Sequence, residues 1–143
     1  MRVSKLLATK GHEVATISQD RSVADALVML KERGIGALLV SAPDKPLAGI
    51  FSERDVVRAL VTSGESTLQM RVADLMSSEL TVCDETTLVT DLMGMMTAKR
   101  IRHVPVVNDG EVVGLVSIGD IVKARFDELA DEKRDLLDYM TAR

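Results

Sequence analysis

The 143-residue chain goes through one order of apolar and polar positions twice. Each copy opens with a threonine followed by an apolar residue, at Thr16 and again at Thr81. A stretch with apolar residues at helical spacing comes next, as Val23, Ala26 and Leu30 illustrate in the first copy. Two apolar runs and a second helical stretch complete each copy. The pattern therefore predicts the order strand, helix, strand, strand, helix in both copies.

The most similar part of the two copies is the passage from the last strand into the last helix. Residues 49–59 read GIFSERDVVRA, and residues 114–124 read GLVSIGDIVKA. A single copy of about 60 residues would bury too little apolar surface to be stable alone. We therefore expect the two copies to pack as one unit related by a pseudo-two-fold axis.

Polar and short apolar segments mark the turns, the linker and the start of each copy. The runs PDKP (43–46) and NDG (108–110) separate paired apolar runs and predict two hairpins, of which the second is tighter. Residues 62–67 predict a polar linker between the copies. Residues 3–7 (VSKLL) and 72–76 (VADLM) resemble each other, and each precedes one copy. We expect each of these two segments to lie against the other repeat.

Each copy has a serine where its last strand meets its last helix and an aspartate three residues later, giving Ser52 with Asp55 and Ser117 with Asp120. This spacing has two interpretations. Ser-x-x-Asp is a helix-capping box, which needs no ligand. A carboxylate in the first turn can also accept hydrogen bonds from the vicinal hydroxyls of a ribose, while the helix start favours a phosphate. The two roles can coexist.

Composition and charge exclude several classes of function. The net charge of −4 and the aromatic content of 2% offer neither a basic stripe nor a stacking platform for nucleic acid. No apolar run is long enough to span a bilayer, so we expect no membrane association and a cytoplasmic location. Cys83 is the single cysteine, and we expect a buried strand thiol rather than a disulfide or a metal ligand. The sequence shows neither a nucleophile with an adjacent base nor a pair of carboxylates in a plausible cleft. We therefore expect no enzyme activity, no catalytic cofactor and no metal site.

With its two Thr-apolar pairs and its doubled Gly-x-x-Ser-x-x-Asp motif, the chain resembles a tandem pair of cystathionine-β-synthase (CBS) domains of the stand-alone bacterial type. The resemblance implies a mixed α/β (α+β) fold, in which two β-α-β-β-α repeats form one pseudo-two-fold module. The divisions along the chain would be residues 1–65, residues 66–125 and a C-terminal amphipathic helix over residues 126–143. It further implies clefts between the repeats that bind an adenosyl ligand such as AMP, ADP, ATP, NAD(H) or S-adenosylmethionine.

The resemblance assigns ligand-binding residues by position, and the two clefts come out unequal. Each cleft takes its ribose-binding aspartate from one copy and residues at the start of the middle strand from the other. The first cleft would place Asp55 with the basic residues Arg54, Arg102 and His103, a set that suits a nucleotide carrying phosphate. For Arg102 and His103 the alternative is a solvated strand end without a ligand.

The second cleft would place Asp120 opposite Gly36 and Ala37, with Lys123 as the nearest obvious cation. We therefore expect a phosphate-bearing nucleotide mainly in the first cleft. The other residues that the resemblance gives to the two clefts are Thr16, Ile17, Ser52, Glu53, Thr81, Val82, Pro105, Ser117, Ile118 and Gly119.

The last 18 residues are helical by composition and carry an apolar stripe at Leu129, Leu136, Leu137 and Met140. The stripe can fold back on its own module or pack against a second chain. We expect a homodimer, because a lone helix of this length is marginal in water. The sequence thus predicts a non-catalytic sensor of adenine nucleotides that acts on an unknown effector protein. The alternative is a structural dimerisation module with vestigial clefts.

Overall fold

Helices and strands follow one another largely in the order that the repeat predicts. The computed structural model describes residues 1–142. Its helices are α1 (Val3–Lys10), α2 (Val23–Arg33), α3 (Glu53–Ser63), α4 (Val72–Leu75), α5 (Val89–Lys99) and α6 (Ile118–Thr141), with a 3-10 helix over Gly64–Gln69. Its strands are β1 (Thr16–Ser18), β2 (Ala37–Ala42), β3 (Lys45–Ser52), β4 (His103–Asn108) and β5 (Glu111–Ser117). This arrangement confirms the predicted mixed α/β (α+β) fold of two repeats with a C-terminal helix.

The chain divides into two units, each with its own core. The first unit is Glu13–Thr81, and the second unit is Met1–His12 together with the chain from Val82 onward. Helix α1 packs in the second unit, and α4 packs in the first. The expected exchange of the short segments that precede each repeat is therefore confirmed. The divisions at residues 65 and 125 stay a prediction about the sequence repeat.

The first unit is built on a three-stranded sheet in the order β1-β2-β3. Strand β1 pairs parallel with β2, and β2 pairs antiparallel with β3. Helix α2 begins at Val23, where the Ser22 hydroxyl accepts a hydrogen bond of 3.1 Å from the backbone N–H of Asp25. Its apolar face packs on the sheet together with the fully buried Phe51 of β3. The sheet thus fixes where β3 ends and α3 begins.

The second unit has a hairpin of β4 and β5, and its expected first strand is reduced to an isolated bridge between Cys83 and Val106. The backbone N–H of Cys83 donates to Pro105 at 3.0 Å, and the carbonyl of Cys83 accepts from Val107 at 2.8 Å. One residue later the chain turns, because the Asp84 carboxylate accepts the N–H groups of Thr86 and Thr87. The pairing that Thr81 and Val82 predicted is therefore confined to Cys83.

One further expectation from the polar segments is wrong, that of a tighter second hairpin. Both hairpins have two-residue turns, so the second is no tighter than the first. The second turn, Asp109-Gly110, has φ values of 50° and 79°, the left-handed pair typical of a type I′ turn. Residues 62–67, the predicted polar linker, are helical: Ser66 Oγ donates to the Ser63 carbonyl at 2.6 Å, and Thr67 is fully buried.

The C-terminal helix is continuous with the last helix of the second repeat. Helix α6 runs without a break from Ile118 to Thr141. Its first half packs on the second unit through the buried Ile121 and the partly buried Ala124. After Gly119 the helix contains neither glycine nor proline, so nothing in the sequence interrupts it at residue 126. The division at residues 125 and 126 stays a prediction about the sequence, and α6 runs through it.

A glycine in β5 allows α1 to lie directly against the hairpin. A Cβ atom at Gly114 would lie 2.7 Å from Leu7 Cδ2, and Leu7 is fully buried. We expect Gly114→Ala to lower the free energy of unfolding by about 1–3 kcal/mol, because the added methyl group forces α1 away from β5. Urea unfolding of the purified variant measures this loss.

The control for this prediction is Gly94→Ala in the exposed part of α5. A Cβ at Gly94 meets open space, so alanine there should stabilise the helix by about 0.5–1 kcal/mol. Equal effects of the two substitutions would contradict the packing of Leu7 on Gly114.

Candidate functional site

In the first unit, Asp55 lies in the first turn of α3 and accepts hydrogen bonds from Ser52, the residue before this helix. Its Oδ2 accepts a hydrogen bond of 2.8 Å from the backbone N–H of Ser52 and one of 3.3 Å from Ser52 Oγ. The backbone N–H of Glu53 donates to the Gly36 carbonyl at 3.1 Å, which ties the start of α3 to the start of β2. Within the described residues, both hydrogen bonds that the Asp55 carboxylate accepts go to Oδ2.

The half-buried position of Asp55 changes its acidity. Burial raises the pKa of this carboxyl above the ordinary value, and the hydrogen bonds from Ser52 and the charge of Arg58 offset the burial only in part. The ionised carboxylate therefore receives less stabilisation from the folded unit than it would receive from water. Hydroxyl groups of a ligand could donate further hydrogen bonds to this carboxylate and so stabilise its ionised form.

In the second unit, Asp120 forms a complete capping box at the start of α6. Its Oδ2 accepts from the backbone N–H of Ser117 at 2.8 Å, and Ser117 Oγ accepts from the backbone N–H of Asp120 at 3.1 Å. The capping interpretation of the Ser-x-x-Asp spacing therefore holds in this copy. The same carboxylate oxygen also forms an ion pair of 2.5 Å with Lys10 Nζ.

Lys10 makes the environment of Asp120 opposite to that of Asp55. Burial alone would raise the pKa of Asp120, but the hydrogen bond from Lys10 and the N–H of Ser117 together outweigh burial and hold the pKa below its ordinary value. The two aspartates therefore differ in acidity, and the predicted inequality of the two clefts stays a prediction. The cation bonded to Asp120 is Lys10 rather than Lys123.

Sequence reasoning missed Lys10, although the sequence contains a signal for it. Eight residues, 8–15, separate VSKLL from Thr16, but only four, 77–80, separate VADLM from Thr81. The longer segment lets α1 continue for eight residues, whereas α4 ends after four. The extra helical turn carries Lys10, and the other copy has no equivalent residue.

The structure places the basic pair Arg102 and His103 at the start of β4, beside the start of α6. The Arg102 carbonyl accepts a hydrogen bond of 2.8 Å from Ile118 N–H, and His103 lies opposite Ser117 in the hairpin. Both residues therefore belong to the unit that carries Asp120. Their convergence on Asp55 stays a prediction.

The other predicted site residues differ in how far they are exposed. In the first unit Ile17 belongs to the core, and Ala37 is buried in β2 opposite Ser52. In the second unit Pro105 is buried in β4. The exposed members of the predicted set are Thr16, Glu53, Arg54, Val82, Arg102 and Gly119.

Cys83 is buried, as expected, and burial raises its pKa to about 11, so it is a neutral thiol at physiological pH. Residues 1–142 contain no group of three or more His, Cys, Asp or Glu side chains arranged to hold a metal ion. None of the helices over this part of the chain combines the length and apolar character needed to cross a membrane.

The opposite environments of the two aspartates predict opposite effects of removing their charge. At neutral pH we expect Asp55→Asn to raise the free energy of unfolding by about 0.5 kcal/mol, because it removes a charge that burial disfavours and keeps an acceptor for Ser52. We expect Asp120→Asn to lower the free energy of unfolding by about 1 kcal/mol, because it breaks the ion pair with Lys10. Changes of the same sign in the two variants would contradict this difference.

The pH dependence of the two variants follows from the directions of the pKa shifts. The stability that Asp120 contributes is fully present above pH 3.8, the ordinary pKa of an aspartate. It is lost as the pH falls through the lower pKa that Asp120 has in the folded chain. The destabilisation by Asp55 is absent below 3.8 and sets in as the pH rises towards its higher folded pKa. Unfolding curves from acidic to neutral pH should show the gap between wild type and Asp120→Asn closing in acid. The gap between wild type and Asp55→Asn should open as the pH rises.

Comparison with known proteins identifies the family. Residues 4–62 and 72–127 match the family model described as CBS domain. The chain therefore belongs to the CBS domain family and contains two copies of the domain. This finding confirms the resemblance inferred from the doubled motif.

One curated relative is the mitochondrial CBS domain-containing protein CBSX3 of Arabidopsis thaliana, which is 39% identical over 126 residues. The match covers 85% of this chain and 61% of that protein, so the chain spans less than two thirds of the relative's length. A solved structure with 40% identity is a CBS-domain containing protein from Agrobacterium tumefaciens. It has a TM-score of 0.85, and the match covers 87% of this chain and 99% of that one.

Two more distant solved structures share the fold. A hexameric CBS-CP12 protein from bloom-forming cyanobacteria is 25% identical, with a TM-score of 0.74 over 85% of this chain and 69% of that one. The CBS domain pair of protein MJ0100 was solved in complex with 5′-methylthioadenosine and S-adenosyl-L-methionine. It is 23% identical, with a TM-score of 0.78 over 90% of this chain and 98% of that one.

Proposed function

We propose that the chain is a non-catalytic regulatory module that binds an adenosyl ligand, with Asp55 accepting hydrogen bonds from the ribose hydroxyls. The observation that carries the proposal is the state of the Asp55 carboxylate. It is half-buried in the first turn of α3, its hydrogen bonds within the unit go to Oδ2, and burial raises its pKa. A carboxylate held at a cost to stability is typical of a binding site.

The ligand class follows from the chemistry of a helix start. Two vicinal hydroxyls can donate to one carboxylate, and the positive end of the α3 dipole favours a negatively charged group nearby. A ribonucleotide has both features. We therefore propose AMP, ADP, ATP or NAD(H), with S-adenosylmethionine as a further adenosyl ligand. The complex of the MJ0100 pair with two adenosyl compounds supports this class.

The phosphate of the nucleotide needs its own partners in this proposal. The family pattern gives this role to Arg54, Arg102 and His103. A guanidinium group can bind a phosphate through two hydrogen bonds, which neither an ammonium nor an amide can reproduce. The side chains of Arg54 and Arg102 are exposed at the starts of α3 and β4, so both are accessible to a ligand.

A thermal-shift panel tests the proposed function. A ligand that binds only the native state must raise the melting temperature, so AMP, ATP and NAD should stabilise the chain, and GMP should stabilise it less. Asp55→Ala should lose most of the AMP-dependent shift. Equal shifts with AMP and GMP, or turnover of nucleotide at stoichiometric protein, would contradict a non-catalytic adenosyl site. An absence of any nucleotide effect would favour the alternative, a structural module with vestigial clefts.

The exposed face of α6 supports a second part of the proposal, that the module is a homodimer. Val122, Phe126, Leu129, Leu136 and Met140 are large apolar residues that are each at least 44% exposed in the single chain. With Lys133 they are spaced alternately by four and three residues, which is the heptad spacing of a coiled coil. We call these six residues the α6 stripe. A second copy of α6 would bury this stripe.

Another side of the first half of α6 packs on the core of the second unit. The buried Ile121 and the partly buried Ala124 lie on a different side of the helix from the α6 stripe. A partner helix could therefore bind the stripe without displacing the core. Helix α3 presents Val57 and Val61, 62% and 87% exposed, at the positions of Val122 and Phe126 in the other copy. The exposure of apolar residues at the same positions of both repeats, and the hexameric assembly of a related protein, support pairing of copies.

The output of the module is a further proposal. We infer that nucleotide occupancy at Asp55 is passed to an effector protein in the cytoplasm, because the proposed ribose site and the exposed apolar face of α6 would allow one chain both to bind a ligand and to associate with a partner. Pull-down with and without AMP tests whether association depends on the nucleotide.

A further inference from the structure

Lys10 is held in place by the packing of α1 on the second unit. Val3, Leu6 and Leu7 are buried in the core of that unit, and Leu7 lies against Gly114 in β5. Helix α1 ends at Lys10, where the N–H of Gly11 donates to the Leu7 carbonyl at 2.7 Å. The last turn of α1 is therefore fixed next to the end of β5 and the start of α6.

The ammonium group of Lys10 bridges these two elements. Lys10 Nζ donates to the Leu115 carbonyl of β5 and to Asp120 Oδ2 of α6. The side chains of Lys10 and Asp120 are 31% and 25% exposed, so the pair is partly shielded from water. A charge-assisted hydrogen bond in such a place is stronger than a bond between neutral groups.

Asp120 is also the counterpart of Asp55, whose carboxylate receives no comparable lysine. The family pattern gives both aspartates the same role towards a ribose. In the second unit, ribose hydroxyls would have to compete with an ammonium group that is already bonded to the carboxylate. In the first unit, the charge that lowers the pKa of Asp55 against the effect of burial is the guanidinium group of Arg58.

We propose that Lys10 is a specificity-determining residue that makes the two ribose sites unequal by competing with the ligand for Asp120. This inference rests on the proposed function. The Asp55 site binds the ribonucleotide directly, whereas the Asp120 site binds it only after Lys10 has moved. Because an ionic hydrogen bond must be broken first, the Asp120 site should be weaker by about tenfold or more.

The second unit has space for Lys10 to move. A groove of about 430 Å³ lies between α1 and α6 and is lined by Lys10 and Asp120 together with Lys5, Lys123, Asp127 and Asp131, among others. The acidic residues of this groove can receive the displaced ammonium group, so release of Lys10 does not leave an unpaired charge. The lysine thus weakens the site without closing it permanently.

Titration calorimetry with AMP in an Asp55→Ala background isolates the Asp120 site. In this background we expect weak binding, and the added substitution Lys10→Met should strengthen it at least tenfold. Lys10→Arg keeps a cation of similar reach and should leave the binding weak. Lys5→Met is the matched control, because Lys5 also lies on α1 and lines the same groove, whereas the lysine bonded to Asp120 is Lys10. Removing Asp120 as well, by Asp120→Ala, should abolish the gain.

The outcomes separate this inference from the proposed function. If the wild type binds AMP and loses most of that binding in Asp55→Ala, the proposed function stands. Under that condition, unchanged or weaker AMP binding on adding Lys10→Met would overturn the role of Lys10 alone. If the wild type binds no AMP, or Asp55→Ala has no effect on it, the proposed function fails first. Circular dichroism of each variant checks that a loss of binding does not come from a loss of fold.

Discussion

Asp55→Ala should weaken the binding of AMP and ATP by about tenfold or more, a loss of about 1.5–3 kcal/mol, and Asp120→Ala should weaken it less. The reason is that Asp55, the proposed ribose acceptor, has hydrogen bonds from Ser52, whereas Asp120 is bonded to Lys10 at 2.5 Å. Titration calorimetry on the wild type and the two variants measures the difference. If Asp120→Ala abolished binding and Asp55→Ala left it intact, the assignment of the stronger site to Asp55 would be wrong.

Arg102→Ala extends this prediction to the phosphate. It should weaken AMP and ATP more than adenosine, because the proposed partner of the guanidinium group is the phosphate. Added salt should reduce the difference between the nucleotides and adenosine, since it screens an exposed charge pair. An equal loss for adenosine and AMP would favour the alternative that Arg102 is a solvated strand end without a ligand.

Leu136→Glu should weaken self-association by at least tenfold, on the order of 1.5–3 kcal/mol, with little effect on the folding of the single chain. Leu136 is 60% exposed in the chain and belongs to the α6 stripe, so its burial depends on a second copy. In a symmetric dimer the substitution places two charges in the interface. Sedimentation equilibrium over a range of concentrations measures the change.

The matched control is Arg134→Glu on another face of α6. It also adds negative charge but loses only an exposed pair with Asp131, so it should leave self-association nearly unchanged. Point substitutions are sharper than truncation after Arg125, because truncation would also remove Glu128, the partner of the N-terminal ammonium group at 3.4 Å. A monomeric wild type at micromolar concentration, or equal effects of the two substitutions, would contradict the dimer.

The fold was predictable from the sequence because its determinants are local and occur twice. The spacing of Val23, Ala26 and Leu30 gives the buried face of a helix, and Ser22 gives its start. The two Gly-x-x-Ser-x-x-Asp motifs each produce a strand end and a helix start. The family match over residues 4–62 and 72–127 covers the region that these signals define.

The details that were missed depend on pairing and packing between distant residues. The first strand of the second copy shrinks to Cys83, because Asp84 turns the chain at the next residue. Residues 62–67 have a polar composition, yet Thr67 is fully buried. A composition signal does not distinguish an exposed polar linker from a helical one that packs.

In the candidate site, too, the features set by local sequence were predictable and those set by contacts between distant residues were not. That Asp55 and Asp120 stand at helix starts follows from the motif, and both do cap their helices. That they differ in acidity depends on Lys10, which is 110 residues from Asp120 in the chain. The length difference between residues 8–15 and 77–80 hints at an extra helical turn, but only the packing of Leu7 on Gly114 directs that turn to Asp120.

A crystal structure of the chain with AMP is the most direct test of the claim that Asp55 is a ribose site. The proposal predicts the two ribose hydroxyls within hydrogen-bond distance of the Asp55 carboxylate, and stronger density for AMP there than at Asp120. AMP bound away from both helix starts, or held by Asp120 with Lys10 still in place, would contradict it.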